Sequence, residues 1–393
     1  EELNYIGPFT PGLEDARQGD FATGIARRQP DGNYTFTLEH KGSYITFRPY
    51  SEQTAFTKWG GAYVEQIDVS ADQALCGSFK IKGDTIDLSS RPVEGYKKSS
   101  CNLILYNLLR LTVGNPPAVP PVLGHPHETP SYAIMSIAPG TYTNFTVRYW
   151  IPTRFPGGDG CVTKTYPRVT FTAGKNKVIS QNIQVHEYPA DTYYMWDAAV
   201  GQHYWKGYEW NGPNPHQPTL SSADKTSDKN PKNNQDPRWY NEVAPYADPT
   251  GAAPAVAATR SCKDLPNVNE LCWYCKYGWG YGRDYEIYSF MNYLESHKIW
   301  FRKLSAIAKS VGKTVDELKA KAPDGIDYTR STQKPDFGHG YMTAEKPDDL
   351  KDYFCLPMMG AYVPDENGNA YFGGRGEGLY YWSSTPVPGH PDR

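Results

Sequence analysis

The sequence predicts a mainly β protein that ends in an α+β domain, and three observations carry that prediction. Residues 33–190 alternate polar and apolar side chains in short runs broken by Gly, Pro and Asn, which is the pattern of half-buried strands joined by turns. The 393 residues include 31 Tyr, 10 Trp, 36 Gly and 33 Pro, a composition that favours strands and loops over helices. Apolar residues at helical spacing appear only after residue 298.

Taken in order, the strand runs are NYTFTLEH, GSYITFRPY, AYVEQIDV, GSFKIKGDTIDLS, CNLILYNLLRLTV, SYAIMSIA, TNFTVRYWI and VTFTAGKNKVISQNIQV. No helical repeat separates them, so antiparallel β-sandwiches are expected rather than a parallel α/β sheet. Gly174-Lys175-Asn176 lies between Val169-Thr-Phe-Thr and Val178-Ile-Ser-Gln-Asn-Ile and reads as a hairpin turn with Gly supplying the unusual backbone angle. The stretch GNPPAVPPVLGHPHETP, 114–130, carries six prolines, which remove the donors a sheet needs, and it marks a first domain boundary. From about Trp210 to Thr259 the chain is polar and then rich in Ala and Pro, which reads as an exposed linker or long loop. From Lys298 to Val311, Trp300, Leu304, Ile307 and Val311 recur at helical spacing, and Thr314 with Glu317 forms a capping box that opens a second helix ended by Pro323, Asp324 and Gly325. YFCLPMMGAYV, PDENGNAYFGG and GLYYWSST then return to strand and turn signals. The expected layout is therefore a sandwich at 1–118, a second at 119–210, a polar linker at 211–259 and an α+β domain at 260–393.

Charge excludes some partners. The 40 Lys and Arg against 43 Asp and Glu give a net charge of -3, so no general field draws nucleic acid and no polybasic membrane footprint stands out. No apolar run reaches the length of a membrane span, and the chain starts at Glu1 without a charged-then-apolar export signal, which reads as a processed form. Seven cysteines are too sparse for a disulfide scaffold, and the odd count leaves one unpaired within the chain.

Two regions resemble known families. ITFRPYSEQTAFTKWGGAYVEQIDVSADQALCGSFKIKGDTI, followed by SIAPGTYTNFTVRYWIP, resembles the fimbrillin-like proteins of Bacteroides-type bacteria, which implies two transthyretin-like β-sandwiches and a pilin subunit. CKDLPNVNELCWYCKYGWGYGRD, KIWFRKLSAIA and YFCLPMMGAYVPDENGNAYFGGRGEGLYYWSSTP resemble the C-type-lectin-like module related to the Fibrobacter succinogenes major paralogous domain. The matching signatures are Pro266–Tyr274, Ile299–Lys303, Tyr353–Pro357 and Leu379–Ser384. Two departures stand out: the chain stops at Arg393, eleven residues past Trp382, where such modules run on into further strands, and the calcium-binding tripeptides of true C-type lectins are absent.

Reactive chemistry finds little support in the residue pattern. Cys272-Trp-Tyr-Cys275 is followed by glycines 278, 280 and 282, so the helix that activates a redox CxxC is not expected behind it, and a zinc site lacks two further ligands at suitable spacing. A structural pair or partly buried thiols, with Cys262 as a candidate partner, is the expected role. His125-Pro-His127-Glu128 sits in a proline-rich loop with no fourth ligand. GGRGEG at 373–378 lacks the lysine of a phosphate loop, and Ser384 lacks a nucleophile elbow. Asp284/Glu286 and Asp365/Glu366 are carboxylate pairs on paper for a glycosidase, but they fall in polar turns.

Aromatic recognition remains. Trp273, Trp279, Tyr281, Tyr285 and Tyr381 are candidate ligand-binding rings, with Asp365, Asn367 and Asn369 as polar edges. Trp279 and Tyr281, flanked by glycines, are expected at the surface, while alternation in YYWSS places Tyr380 and Trp382 on one face and Tyr381 on the other. The expectation is a cell-surface or outer-membrane adhesin, without cofactor, metal or catalysis. The resemblance implies a pilus-tip subunit assembled with other pilin subunits by β-strand addition, and a host or bacterial glycan or protein as the target. The alternative is a secreted carbohydrate-active enzyme or a glycan-binding surface lipoprotein.

Overall fold

A computed structural model describes residues 2–5, 21–57, 62–93, 98–102, 109–110, 112–114, 132–153, 159–220, 228–242, 252–280, 284–337, 349–364, 370–387 and 390. The protein is mainly β, and it divides into two compact units, Glu1–His186 with Glu286–Leu294, and Glu187–Tyr285 with Glu295–Arg393.

Period-two burial builds the first unit. Its long strands are β1 (Ser43–Ser51), β2 (Gln66–Ser70), β3 (Lys98–Asn102), β4 (Ala133–Ile137), β5 (Gly140–Pro152), β6 (Asp159–Phe171) and β7 (Asn176–Asn182). One sheet has the antiparallel order β3-β2-β5-β6, and in the other β1 pairs antiparallel with β4 and parallel with β7. Ile45, Phe47 and Met135 from one sheet meet Val69, Phe145, Val147 and Tyr149 from the other in a single buried core, so the sheets face each other as a sandwich. The inward alternation of β5 changes phase at Asn144, which has a positive φ of 50°, so Tyr142 and Phe145, three apart, are both buried while the register against β6 is the same on either side.

Three expectations for this region need correction. Strands from both sides of residue 118 share the core and the sheets, since β1 pairs with β4 and β2 with β5. The first 186 residues thus give one sandwich where two were expected, because each sheet alone leaves an apolar face that only the other covers. The prolines at 115–131 lie outside the described residues. Gly174 does adopt a positive φ of 67°, yet β6 and β7 form no hairpin: β7 leaves the β6 sheet and pairs with β1. Finally, Glu286–Leu294 belongs to the first unit, where Ile287 enters the core and donates its N–H to the Cys161 carbonyl at 3.0 Å.

The second unit contains α1 (Val268–Tyr277), β8 (Lys298–Arg302), α2 (Leu304–Val311), α3 (Val315–Ala320), β9 (Tyr353–Pro357), β10 (Met359–Pro364) and β11 (Ala370–Arg375). The Thr314/Glu317 capping box opens α3 as its sequence indicates. The longer helix predicted from 298 is shorter: residues 298–302 pair with β9, bringing Trp300 opposite Cys355 and Phe301 opposite Phe354. Ile299 and Phe301 also satisfy a strand period, and the available partner strand decided between the two readings. Helix α1, not anticipated, spans the CxxC itself. Its signal was Asn267 with Glu270, a reciprocal capping box in the structure. Trp273, Leu304, Ile307, Ala308 and Leu318 seal the three helices together.

The polar stretch at 211–259 is exposed at many of its described residues but anchored at several points. Gln217, Asn230 and Asn241 are buried. Gln217 donates to the Tyr362 hydroxyl at 2.9 Å and Asn241 to Asp197 at 2.7 Å. Just upstream, Tyr193, Tyr204 and Trp205 close an aromatic cluster on Tyr362, with centroids 5.0, 5.9 and 5.4 Å away. Polar composition misleads here because a loop that hydrogen-bonds its amide side chains can be buried at small net cost.

Candidate functional site

Glycines shape a ring-bearing segment in the second unit. Within β10 and β11, Gly360 and Gly374 take positive φ values of 67° and 69°, a conformation that Gly adopts without strain. The turn after β11 folds back as Gly376 donates its N–H to the Met358 carbonyl at 2.8 Å and Gly360 donates to that of Gly378 at 3.2 Å. This run is GGRGEG, and its arginine pairs with buried Glu295 at 2.5 Å, so its role is structural.

The chain that emerges carries Tyr380, Tyr381 and Trp382 outside any strand. They are 64, 49 and 38% exposed. The expected strand at GLYYWSST is therefore absent, and Tyr380 and Trp382 are surface rings rather than one face of a core. Two of the three are tethered by their polar tips: the Tyr381 hydroxyl donates to the Pro357 carbonyl at 2.7 Å, and Trp382 Nε1 donates to that of Tyr194 at 2.6 Å. Tyr380 has its ring edge 3.5 Å from where a side chain on Gly374 would begin. Ring faces are thus displayed while the rings are held, the arrangement that lowers the entropy lost on binding.

Behind Tyr381 lies a polar group with shared electrostatics. Trp300 Nε1 donates to buried Asp284 at 2.7 Å. Burial, together with neighbouring Cys355 and Asp284, pushes the Tyr188 hydroxyl up to about 12. Burial, then Tyr188 and Cys355, raises Tyr381 as well. These tyrosines stay neutral hydrogen-bonding groups at ordinary pH.

The segment is braced from beneath. Trp196 Nε1 donates to the Ser383 carbonyl at 2.9 Å and Ala258 N–H to that of Ser384 at 2.7 Å. Both braces converge on Asp197, which is fully buried. Its Oδ1 accepts from the Arg260 and Cys262 N–H groups at 2.8 and 3.1 Å, and its Oδ2 from Thr259 N–H and Asn241 Nδ2 at 2.9 and 2.7 Å.

Of the rings singled out from sequence, Tyr381 and Tyr285 are exposed, the latter at 40%. Trp273 is buried in the helical core and donates to the Lys321 carbonyl at 2.7 Å, so it offers no face to a ligand. Trp279 is half-buried against Phe301, centroids 5.3 Å apart, rather than displayed. Its neighbour Gly280 admits no side chain because one would meet the Tyr353 ring at 2.8 Å. Tyr281, Asp365, Asn367 and Asn369 lie outside the described residues, as do His125 and His127. Asp284 and Glu286 belong to different compact units. Sequence reasoning does not identify Tyr188, Trp300 and Asp197 as partners of this site; of the three, only Trp300 carries a local signal, in the KIWFR segment.

The cysteines carry no disulfide among the described residues. Cys262, Cys272, Cys275 and Cys355 are free thiols, so the anticipated partnership of Cys262 with one of the pair is replaced: its sulfur accepts from the Asp197 N–H at 3.2 Å. Burial, reinforced by Cys275 and Asp324, raises Cys272 to about 12, and burial raises Cys275. Thiols in that state react slowly. Iodoacetamide on the folded protein at mildly alkaline pH is expected to leave Cys272 and Cys275 unmodified, with both labelled after denaturation. Rapid native labelling, read by peptide mass spectrometry, would contradict this assignment.

No protein-family model matches the chain, and no curated protein is similar to it in sequence. Among solved structures, a Bacteroides fragilis protein assigned provisionally to cell adhesion is similar with a TM-score of 0.20 and 10% identity, over 44% of this chain and 56% of that one. A Bacteroides ovatus fimbrial protein is similar with a TM-score of 0.16 and 12% identity, over 49% of this chain and 32% of that one. The chain thus spans about half of one and a third of the other.

Proposed function

We propose that this protein is a non-enzymatic adhesin of the cell surface whose second unit recognises a glycan through Tyr380, Tyr381 and Trp382. The observation that carries this reading is the display of three exposed rings, two of them tethered: the polar tips of Tyr381 and Trp382 are spent on backbone carbonyls, so their faces are what remains for a ligand. Sugar rings present flat patches of C–H that stack on such faces, and the polar group of Tyr188, Trp300 and the buried Asp284 lies close by. The resemblance to fimbrillin-like proteins supports membership of a fibre, with assembly by β-strand addition and a tip position for the unit that bears the rings. Catalysis has no support in the described carboxylates, since Asp284 serves as an acceptor for an indole N–H.

A glycan array with the full chain tests the reading. Wild type is expected to bind a defined set of sugars, and the Tyr380→Ala, Trp382→Ala double variant to lose about tenfold or more in affinity, given roughly 1 kcal/mol for each well-placed ring. The variant should keep its far-ultraviolet circular dichroism. Equal binding by both proteins, or no glycan bound by wild type, would sink the proposal.

A further inference from the structure

A cavity of about 310 Å³ opens within the first unit, where Gly140 and Phe171 pair at the last rung of the β5/β6 ladder. Ile86, Leu88, Pro139 and Phe171 give it apolar walls, and Lys41 and Thr172 also line it. Its volume is in the range of small-molecule sites, which are concave, mostly apolar and carry a few placed polar groups. The polar groups here are cations, and their partners decide what the cavity can hold.

Lys41 is compensated, since its Nζ lies 2.9 Å from Glu39 and 3.2 Å from Asp84. Asp87, between Ile86 and Leu88, spends its carboxylate on the Ser89 N–H and hydroxyl at 3.0 and 2.6 Å. Arg91 has no such counter-charge: Nη1 donates to the Ala74 carbonyl and, at 2.9 Å, to the Tyr142 hydroxyl, and Nη2 donates to the Pro139 carbonyl at 2.6 Å. All three acceptors are neutral, no carboxylate pairs with it among the described residues, and a guanidinium has further N–H groups to give. Gly140, a wall of the cavity, leaves it unscreened. A side chain there would begin 2.7 Å from Arg91 Nη2 and 3.9 Å from Leu88 Cδ1, and the φ of 135° keeps the position a glycine. A second cation stands over the floor. Alternation in β7 puts Lys177 on the face of buried Ile179, and its Nζ lies 6.0 Å over the Phe171 ring, with no carboxylate partner among the described residues. Apolar walls beside two uncompensated cations complement a hydrocarbon chain that ends in a carboxylate.

We infer that this cavity binds a medium-chain carboxylate, its chain against Ile86, Leu88 and Phe171 and its head toward Arg91 and Lys177. The site belongs to the first unit and does not depend on the ring segment or its ligand. Isothermal titration of the full chain with octanoate, octanol and octylamine tests it. Wild type is expected to bind one equivalent of octanoate saturably, and the neutral and cationic analogues about tenfold more weakly or less, because only the carboxylate makes charge-assisted hydrogen bonds. Thr172→Trp, which fills the cavity from its exposed rim, is expected to abolish octanoate binding. Lys177→Glu is expected to weaken it about fivefold, and Ser180→Glu, on the other face of β7, to leave it unchanged. All three positions are exposed, so the unfolding temperature should stay that of wild type. A wild type that binds no octanoate, or that binds octanol or octylamine as tightly, would overturn the inference whatever the variants do. Full binding by Thr172→Trp or Lys177→Glu, or equal loss in Ser180→Glu, would overturn it too.

Discussion

Asp197→Asn is expected to destabilise the second unit by about 2–4 kcal/mol, although it changes only one atom of a side chain. Both carboxylate oxygens face donors: Oδ1 meets two backbone N–H groups and Oδ2 meets a backbone N–H and the Asn241 amide. Either orientation of the introduced amide therefore turns an NH2 toward two donors. The site is fully buried, so water cannot relieve the mismatch. Asp197 itself has a positive φ of 49°, which Asp and Asn tolerate better than most residues, so the substitution tests the hydrogen bonds and leaves backbone strain unchanged. Denaturant unfolding should show a lower midpoint with an unchanged slope. Because Asp197 holds the turn beside Ala258 and Trp196, which brace Ser383 and Ser384, ligand binding by the adjacent rings should weaken too. A stability change under about 0.5 kcal/mol, the range of an ordinary surface substitution, would show that the carboxylate is not the organising group.

Phe145→Ala is expected to destabilise the first unit by about 3–5 kcal/mol. The ring is fully buried, 5.2 Å from Phe171 and 6.2 Å from Tyr142 between centroids. Its neighbours sit on paired strands, Tyr142 on β5 and Phe171 on β6, so sheet geometry fixes them and limits collapse into the vacated space. The matching control is Tyr380→Ala, where a larger side chain is removed from the surface and stability should hold. Comparable effects of the two substitutions on the unfolding midpoint would mean that Phe145 does not pack in the sandwich core.

Much of the strand framework was legible because burial on one face of a sheet imposes alternation on adjacent residues, as in Ile45 and Phe47 or Val147 and Tyr149. Caps were legible for the same local reason: Thr314 and Glu317 satisfy each other within one turn, and Asn267 and Glu270 advertise α1 although the aromatic residues after them obscure it. The candidate site was half legible. Tyr381 could be named as a ring available for recognition, but not that its hydroxyl would be tethered to Pro357, nor that Tyr380 and Trp382 would stand beside it instead of entering a core.

By itself the sequence determined the mainly β character, the presence of an α+β part and the abundance of rings, since these follow from composition and from periods of two to four residues. Tertiary structure decided the rest. One sandwich forms instead of two because apolar faces contributed from both sides of residue 118 cover each other, residues 298–302 are a strand because β9 supplies their partners, and polar residues such as Gln217, Asn241 and Asp197 are buried because donors and acceptors distant in the chain meet them there. Pairing over long separations leaves no local period to read, and so it is settled only when the chain is folded.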